Sequence, residues 1–131
     1  MLILILAIAA VFLIGDAIMI TLVMKPMFVA ALGPQMLDSL RLWPALLFYV
    51  IHIGALAYFA GLPALRAGTP LLALFNGALI GLAAYSCFEL TNYAIMRDWQ
   101  LKLVAVDLTW GTIVSGLSAY FGVLAVRAFA H

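Results

Sequence analysis

The chain has 131 residues, of which 69% are hydrophobic and 8% are charged. A soluble domain of this composition could not cover its core with polar groups, so a soluble fold is excluded and an integral membrane protein is indicated. The net charge of +1 and the six scattered Lys and Arg residues provide no basic field, which excludes nucleic-acid binding. At roughly 20 apolar residues per crossing, the length allows a single domain, residues 1–131, with four spans.

The first apolar segment is predicted to span the membrane over residues 1–24. It lacks a basic start, and Asp16 interrupts its apolar run, so we expect a retained span rather than a cleaved secretory signal. Lys25-Pro26 combines a charge with a helix breaker and is predicted to end this helix. After the turn at Gly33-Pro34, residues 35–42 have the pattern of a short interfacial helix.

Three further spans are expected, over residues 43–62, 70–96 and 101–129. Trp43-Pro44 is typical of a helix start at the interface, and Pro63 is predicted to end the second helix. Arg97-Asp98-Trp99 is predicted to form a tight corner before the last helix. Because the connections are short, consecutive helices must be antiparallel, and the predicted fold is an all-α, integral membrane four-helix up-down bundle.

Basic residues favour one orientation of this bundle. The loops joining helices 1–2 and 3–4 contain more of them than the opposite end does, which predicts that these loops are cytoplasmic. We therefore expect a multi-pass membrane protein with both termini on the side opposite to the cytoplasm. The residues concerned are Lys25, Arg41, Arg97 and Lys102 at the first end, and Arg66 and Arg127 at the other.

Several residues are predicted to have ordinary roles in a membrane protein. Trp43, Trp99 and Tyr58 are interpreted as interfacial belt residues, whose amphipathic rings suit the boundary between lipid and water. Cys87 lies inside an apolar segment and is interpreted as a small core residue. As the single cysteine of the chain, it cannot form a disulfide within it. The sequence indicates no cofactor.

Three of the five acidic residues, Asp16, Glu89 and Asp107, lie inside predicted spans, whereas Asp38 and Asp98 are expected in loops. An ionisable side chain at the bilayer centre costs roughly 2.5–3.5 kcal/mol on insertion scales, so three of them imply mutual partners or a function. Counted from the nearest flanking charge at about 1.5 Å per residue, these acids and His52 lie about 8–17 Å deep. Each comes from a different helix, which predicts a single acidic site about a third of the way into the bilayer.

Helical spacing places further polar and aromatic side chains beside these groups. Tyr85, Asn92 and Tyr93 share a face with Glu89, and Trp110 lies one turn after Asp107. The alternative is that the acids and His52 only form hydrogen bonds that hold the bundle together. A metal site is not predicted, since His52 is the one nitrogen ligand within the spans. The predicted proton- or ligand-binding residues are Asp16, His52, Tyr85, Glu89, Asn92, Tyr93, Asp107 and Trp110.

Two motifs, FELTNYA at residues 88–94 and VDLTWGT at residues 106–112, lie on either side of Trp99. Together with Asp16 and the earlier residues named below, they resemble the uncharacterised bacterial membrane protein family called domain of unknown function 2177. The resemblance covers nearly the whole chain and implies a four-helix protein of the bacterial inner membrane, without a particular activity. With the orientation favoured by the basic residues, its termini are then expected in the periplasm. The family pattern has Asp in place of Glu89 and Trp in place of Met19, differences that change the size and aromatic content of the pocket. The earlier residues are Leu47-Phe48-Tyr49, Gly54, Tyr58-Phe59 and Gly77-x-x-x-Gly81.

The Gly77-x-x-x-Gly81 spacing permits close helix contact, either inside the bundle or between protomers.

Three functions fit the predicted site. The first is a small transporter or binding protein, since a desolvated carboxyl group favours its neutral form and can exchange its proton for a cationic ligand among aromatic rings. The second is a membrane enzyme that uses a buried carboxylic acid on a lipid or isoprenoid. The third is an accessory subunit of a larger membrane complex. The expected partners are the lipid bilayer, a small hydrophobic or cationic ligand, and a second copy or a larger complex.

Overall fold

A computed structural model describes residues 1–33 and 41–129. These residues form four long helices, each long and apolar enough to cross a membrane, which confirms the all-α fold and the number of spans predicted from composition. The predicted interfacial helix at residues 35–42 falls largely outside the described residues, and so does Asp38. The helices are α1 (residues 2–32), α2 (Leu42–Ala67), α3 (Pro70–Ile95) and α4 (Leu101–Phe129).

Helix α1 continues past Lys25-Pro26, where the sequence predicts its end. The five residues Ile20–Met24 are wound as a π-helix, in which the Lys25 N–H donates to the carbonyl of Ile20, five residues back. A proline has no N–H and crowds the carbonyl four residues before it, and the wider π turn relieves both conflicts. The helix therefore resumes with Pro26 in its first turn and ends at Leu32.

Helix α2 passes its proline in the same way. The π-helical turn Ala57–Gly61 precedes Pro63, and the helix continues to Ala67 instead of ending near Leu62. Gly68, with a φ of 68°, then adopts the left-handed conformation that ends many helices. Each proline thus shifts the hydrogen-bond register of its helix without ending it.

The closest packing in the bundle is between α3 and α4. A side chain added at Gly81 would collide with the backbone carbonyl of Gly111, and one added at Gly111 would collide with the ring of Tyr85. Gly77 likewise lies against the backbone of Ser115. The Gly77-x-x-x-Gly81 spacing therefore serves helix contact inside the bundle, and it sets the register in which α3 and α4 face each other.

Helix α1 packs along α4 through an apolar cluster formed by Leu4, Ile8 and Phe12 with residues of the second half of α4. The second half of α2 is buried in the same cluster. By contrast, all residues of the first two turns of α2, residues 41–48, are exposed. Helix α2 therefore diverges from the bundle at its beginning and leaves a gap beside α3.

Candidate functional site

Asp16 lies at the centre of the bundle. The Tyr49 hydroxyl of α2 donates to its Oδ2 at 2.6 Å, and the Trp110 Nε1–H of α4 donates to its Oδ1 at 3.1 Å. Tyr85 of α3 lies beside the same carboxyl group. All four helices thus supply a polar side chain at this point, and Asp16 has a donor on each oxygen.

Glu89 and Asp107 form a second acidic group on α3 and α4. Glu89 is completely buried, and its Oε2 accepts a hydrogen bond of 2.7 Å from the Trp99 Nε1–H. Its Oε1 has no hydrogen-bond partner among the residues that the structure describes. Asp107 lies opposite, close enough for its carboxyl group to hydrogen-bond that of Glu89. The register explains the pairing, because Tyr85 meets Gly111 one turn further along.

No Lys or Arg side chain neutralises these acids. All six Lys and Arg side chains are exposed, whereas Asp16, Glu89 and Asp107 are buried. Two carboxyl groups in contact without a cation cannot both be ionised in a medium of low dielectric constant.

His52 lies deeper than the acids. Its Nε2 is 2.9 Å from the Ser115 hydroxyl, and its ring packs between Phe12 and Phe48, at centroid distances of 5.0 and 5.1 Å. Ser115 follows Asp107 by two helical turns, about 12 Å along α4. His52 lies in the first half of α2 and hydrogen-bonds α4 two turns beyond Asp107, and its ring centroid is 6.1 Å from that of Tyr85.

Asn92 and Tyr93 do not meet the other predicted residues. Asn92 is half-buried, and Tyr93, with 47% of its side chain exposed, lines a surface depression beside the 3–4 loop together with Arg97. Trp99 takes up the space that faces Glu89 from this end of the bundle. The part of the predicted polar face of α3 that follows Glu89 therefore does not belong to the site.

A cavity of about 650 Å³ opens beside Asp16 and Asp107. Its volume is within the range of small-molecule sites, roughly 300–1,000 Å³. It lies between the first turns of α2 and the face of α3 that carries Ala84, Cys87 and Phe88. In the described part of the chain, no three His, Cys, Asp or Glu side chains converge on a point that could hold a metal. The lining residues are Asp16, Ile20, Met24, Phe28, Pro44, Ala45, Phe48, Ala84, Tyr85, Cys87, Phe88 and Asp107.

Trp99 differs most from its predicted role. It was expected in the interfacial belt, but 94% of it is buried, since its relative exposure is 6%. Its ring packs against Phe28 and Phe88, at centroid distances of 5.6 and 5.7 Å, and its N–H is bound to Glu89. The tight corner after α3 folds Trp99 back over the end of that helix. The signal in the sequence that could have predicted its burial is Glu89, an acid ten residues earlier that needs a hydrogen-bond donor. Trp43 and Tyr58 are exposed.

Tyr49 and Cys87 also have roles that the sequence did not predict. Tyr49 lies one turn before His52, as helical spacing predicts, but its hydrogen bond to Asp16 of α1 depends on how α1 and α2 pack. Cys87 is exposed and lines the cavity, which corrects its interpretation as a core residue. The divergence of α2 uncovers this part of α3, and no local pattern in α3 indicates it.

The family described as "Predicted membrane protein (DUF2177)" matches residues 1–124. No curated protein and no solved structure is detectably similar to the chain. The match agrees with the family resemblance of the two motifs around Trp99, and it brings no substrate, cofactor or partner with it.

Proposed function

The chain belongs to the DUF2177 family of predicted membrane proteins, and we propose that it binds a small cationic or amphiphilic ligand in exchange for a proton. The observation that carries the proposal is that two buried acids, Asp16 and Asp107, line one cavity. With every Lys and Arg exposed, the positive charge that such a site attracts has to come from a ligand or from a proton.

The walls of the cavity suit an organic cation. Phe48, Tyr85 and Phe88 line it, and the face of an aromatic ring attracts a positive charge within about 6 Å. A cation that enters next to a carboxyl group stabilises the ionised form of that group, so the proton leaves as the ligand binds. Binding and proton release are therefore expected to be linked.

The two acids are suited to different tasks. Asp16 accepts hydrogen bonds from Tyr49 and Trp110, which fix the position of its carboxyl group at the cavity wall, so Asp16 is proposed as the group that faces the cation. Asp107 instead contacts Glu89, which favours the sharing of a proton. Different surroundings of two acids in one site commonly divide their roles in this way.

The ligand is proposed to enter from the lipid. The cavity opens beside the exposed residues 41–48 of α2, and Cys87, the single thiol of the chain, lies at its wall. A lipophilic maleimide should label Cys87, and bound tetraphenylphosphonium should slow the reaction. The matched control is Leu82→Cys in a Cys87→Ser background, since Leu82 is exposed on another face of α3. Equal slowing at both positions would argue against a ligand in this cavity.

The main test measures protons. Purified protein in weakly buffered detergent should release protons when tetraphenylphosphonium is added, and Asp16→Asn and Asp107→Asn should reduce the release. Asp98→Asn is the matched control, because Asp98 lies in the exposed turn between α3 and α4. Undiminished release from both cavity variants would overturn the proposal.

The contact between Asp107 and Glu89 favours a second candidate function, a membrane enzyme. A carboxyl group that holds a proton beside an apolar cavity can act as an acid towards a lipid or isoprenoid, and a neighbouring carboxylate can take a proton back. Mass spectrometry of lipid copurified with the wild-type protein tests this. A chemically altered lipid that is absent from Asp107→Asn preparations would favour the enzyme over the binding protein.

We infer an inner-membrane orientation with the 1–2 and 3–4 loops in the cytoplasm and both termini in the periplasm, on the distribution of basic residues. Reporter fusions to the C-terminus would test it. Transport across the bilayer would also need a path to both sides, which a second copy or a larger complex would have to complete. Mass measurement after mild solubilisation distinguishes a monomer, a homodimer and a larger assembly.

A further inference from the structure

One oxygen of Glu89 is without a hydrogen-bond donor at a completely buried position. Of its two carboxyl oxygens, Oε2 accepts from Trp99, whereas Oε1 has no partner among the described residues. A buried oxygen that receives no hydrogen bond is strongly unfavourable in a bilayer. A proton on Glu89 or on a neighbouring group, placed at this oxygen, would supply the missing hydrogen bond and explain why the oxygen can be buried.

Asp107 is the neighbour that can share this proton. Its carboxyl group lies within hydrogen-bonding reach of Glu89, in the register fixed by the contact of Tyr85 with Gly111. A proton between the two carboxyl groups supplies the missing hydrogen bond and removes the repulsion between two like charges. Among the residues that the structure describes, the titratable groups that face the pair are Asp16 on α1 and Tyr85 on α3, and Tyr49 on α2 is bound to Asp16. The charged groups of the nearest turns are exposed, namely Lys25, Arg97, Asp98 and Lys102.

Trp99 separates this pair from the surface at the 3–4 loop. One side of Trp99 lines the surface depression next to Arg97, and its indole N–H is bound to Glu89 on the other. Phe28 and Phe88 hold the ring from two directions, and Met24 and Leu103 pack in the same cluster. The Trp99 ring therefore lies between Glu89 and the protein surface at the 3–4 loop.

We propose that Glu89 and Asp107 form a buried proton-binding site, and that Trp99 controls its access to the 3–4 loop side. Asp107 faces the cavity and Glu89 faces Trp99, so the pair connects the two. For proton uptake, protonated Glu89 gives its proton to the Asp107 carboxylate. Movement of Trp99 then lets Glu89 take up another proton from the 3–4 loop side. For proton release, the proton that a bound cation displaces passes from Asp107 to Glu89 and leaves at the 3–4 loop side. This release rests on the proposed function, whereas the proton-binding site itself does not.

Infrared spectroscopy tests the site without any ligand. At neutral pH the reconstituted wild-type protein should show the carbonyl stretch of a protonated carboxyl group, with a shift in heavy water. Glu89→Gln and Asp107→Asn should each remove this band, whereas Glu89→Asp and Asp98→Asn should keep one. Absence of the band from the wild type, or its persistence in either of the first two variants, would overturn the proposal.

A chemical test on the wild-type protein covers the case in which those two variants do not fold. A hydrophobic carbodiimide adds to a protonated carboxylic acid, and the adduct rearranges to a stable N-acylurea with no leaving group. Peptide mapping should place this label on Glu89 or Asp107. Labelling of neither residue would overturn the site.

The role of Trp99 has its own measurement. Trp99→Phe keeps an aromatic ring but removes the donor to Glu89, and the carboxyl band should then exchange its proton for deuterium about tenfold faster, as expected for the loss of one hydrogen bond. Trp43→Phe is the control, since Trp43 is exposed on α2. Equal exchange rates in the two variants would show that Trp99 does not control access. These experiments contain no ligand. A failure of the proton-binding site can therefore be distinguished from a failure of the proposed exchange of a proton for a cation.

Discussion

The indole N–H of Trp110 donates to the carboxyl group of Asp16 at 3.1 Å, across 94 residues of sequence. This contact joins the last helix to the first in the membrane interior. The Tyr49 hydroxyl donates to the other oxygen of Asp16 at 2.6 Å, which adds α2 to the same point. Asp16 is therefore both a wall of the cavity and a junction of three helices.

Removal of either donor should weaken the bundle. Trp110→Phe and Tyr49→Phe should each lower the free energy of unfolding by about 0.6–1.7 kcal/mol, the range measured for hydrogen bonds between membrane helices. Because both donors serve one carboxyl group, their effects should not add. Unfolding in mixed micelles measures this. Tyr58→Phe, at an exposed position of α2, should change little, and a loss as large there would contradict the assignment.

The close approach of α3 and α4 predicts a sharp contrast between glycines. Gly81→Ala and Gly111→Ala place a methyl group against backbone or the Tyr85 ring, and overpacking of this kind costs about 1–3 kcal/mol. Gly54→Ala has open space around it and should instead stabilise α2 by about 0.5–1 kcal/mol. Thermal unfolding in detergent measures all three. Similar effects at the three positions would be inconsistent with the observed packing.

Filling the cavity should weaken ligand binding without unfolding the protein. Ala45 lines the cavity on the diverging part of α2, so Ala45→Phe should reduce tetraphenylphosphonium affinity about tenfold, equivalent to about 1.4 kcal/mol. Leu46→Phe, at the next residue and exposed, should leave the affinity unchanged. Equilibrium dialysis compares the two. An unchanged affinity in Ala45→Phe would place the ligand elsewhere.

The hydrogen bond of His52 should matter for stability and not for proton release. Ser115→Ala leaves His52 without its partner at 2.9 Å, and a buried polar group left unpaired costs about 1–3 kcal/mol. Ser86→Ala, whose hydroxyl bonds only the carbonyl of Ala83 at 3.0 Å, is the control. Ligand-linked proton release should be the same in both. A selective loss in Ser115→Ala would return His52 to the proton site.

Much of the fold follows from local properties of the sequence. Four apolar segments of sufficient length predict four spans, and the short 2–3 and 3–4 connections force neighbouring helices to be antiparallel. The ends of α1 and α2 were predicted incorrectly, since a proline ends a helix only if its missing N–H and its bulk are not accommodated. The π turns before Pro26 and Pro63 accommodate them, and no residue pattern predicts such turns reliably.

The candidate site was predictable in part. The energetic penalty of burying a charge selects Asp16, Glu89 and Asp107 from the sequence, and all three are buried. Counting residues from the flanking charges gives depth along each helix but not the rotation or tilt of that helix. For this reason it could not show that His52 bonds Ser115, and it placed Tyr93, which is exposed, inside the bundle.

The sequence by itself determined that this protein has four segments able to cross a membrane and buries three acids, because hydrophobicity and the cost of desolvating a charge are properties of single residues and short segments. Only the tertiary structure decided which groups meet. Trp99 covers Glu89, Asp107 pairs with Glu89, and α2 diverges to open the cavity. These contacts depend on the register of α3 against α4 and on the tilt of α2, which arise from packing between distant segments.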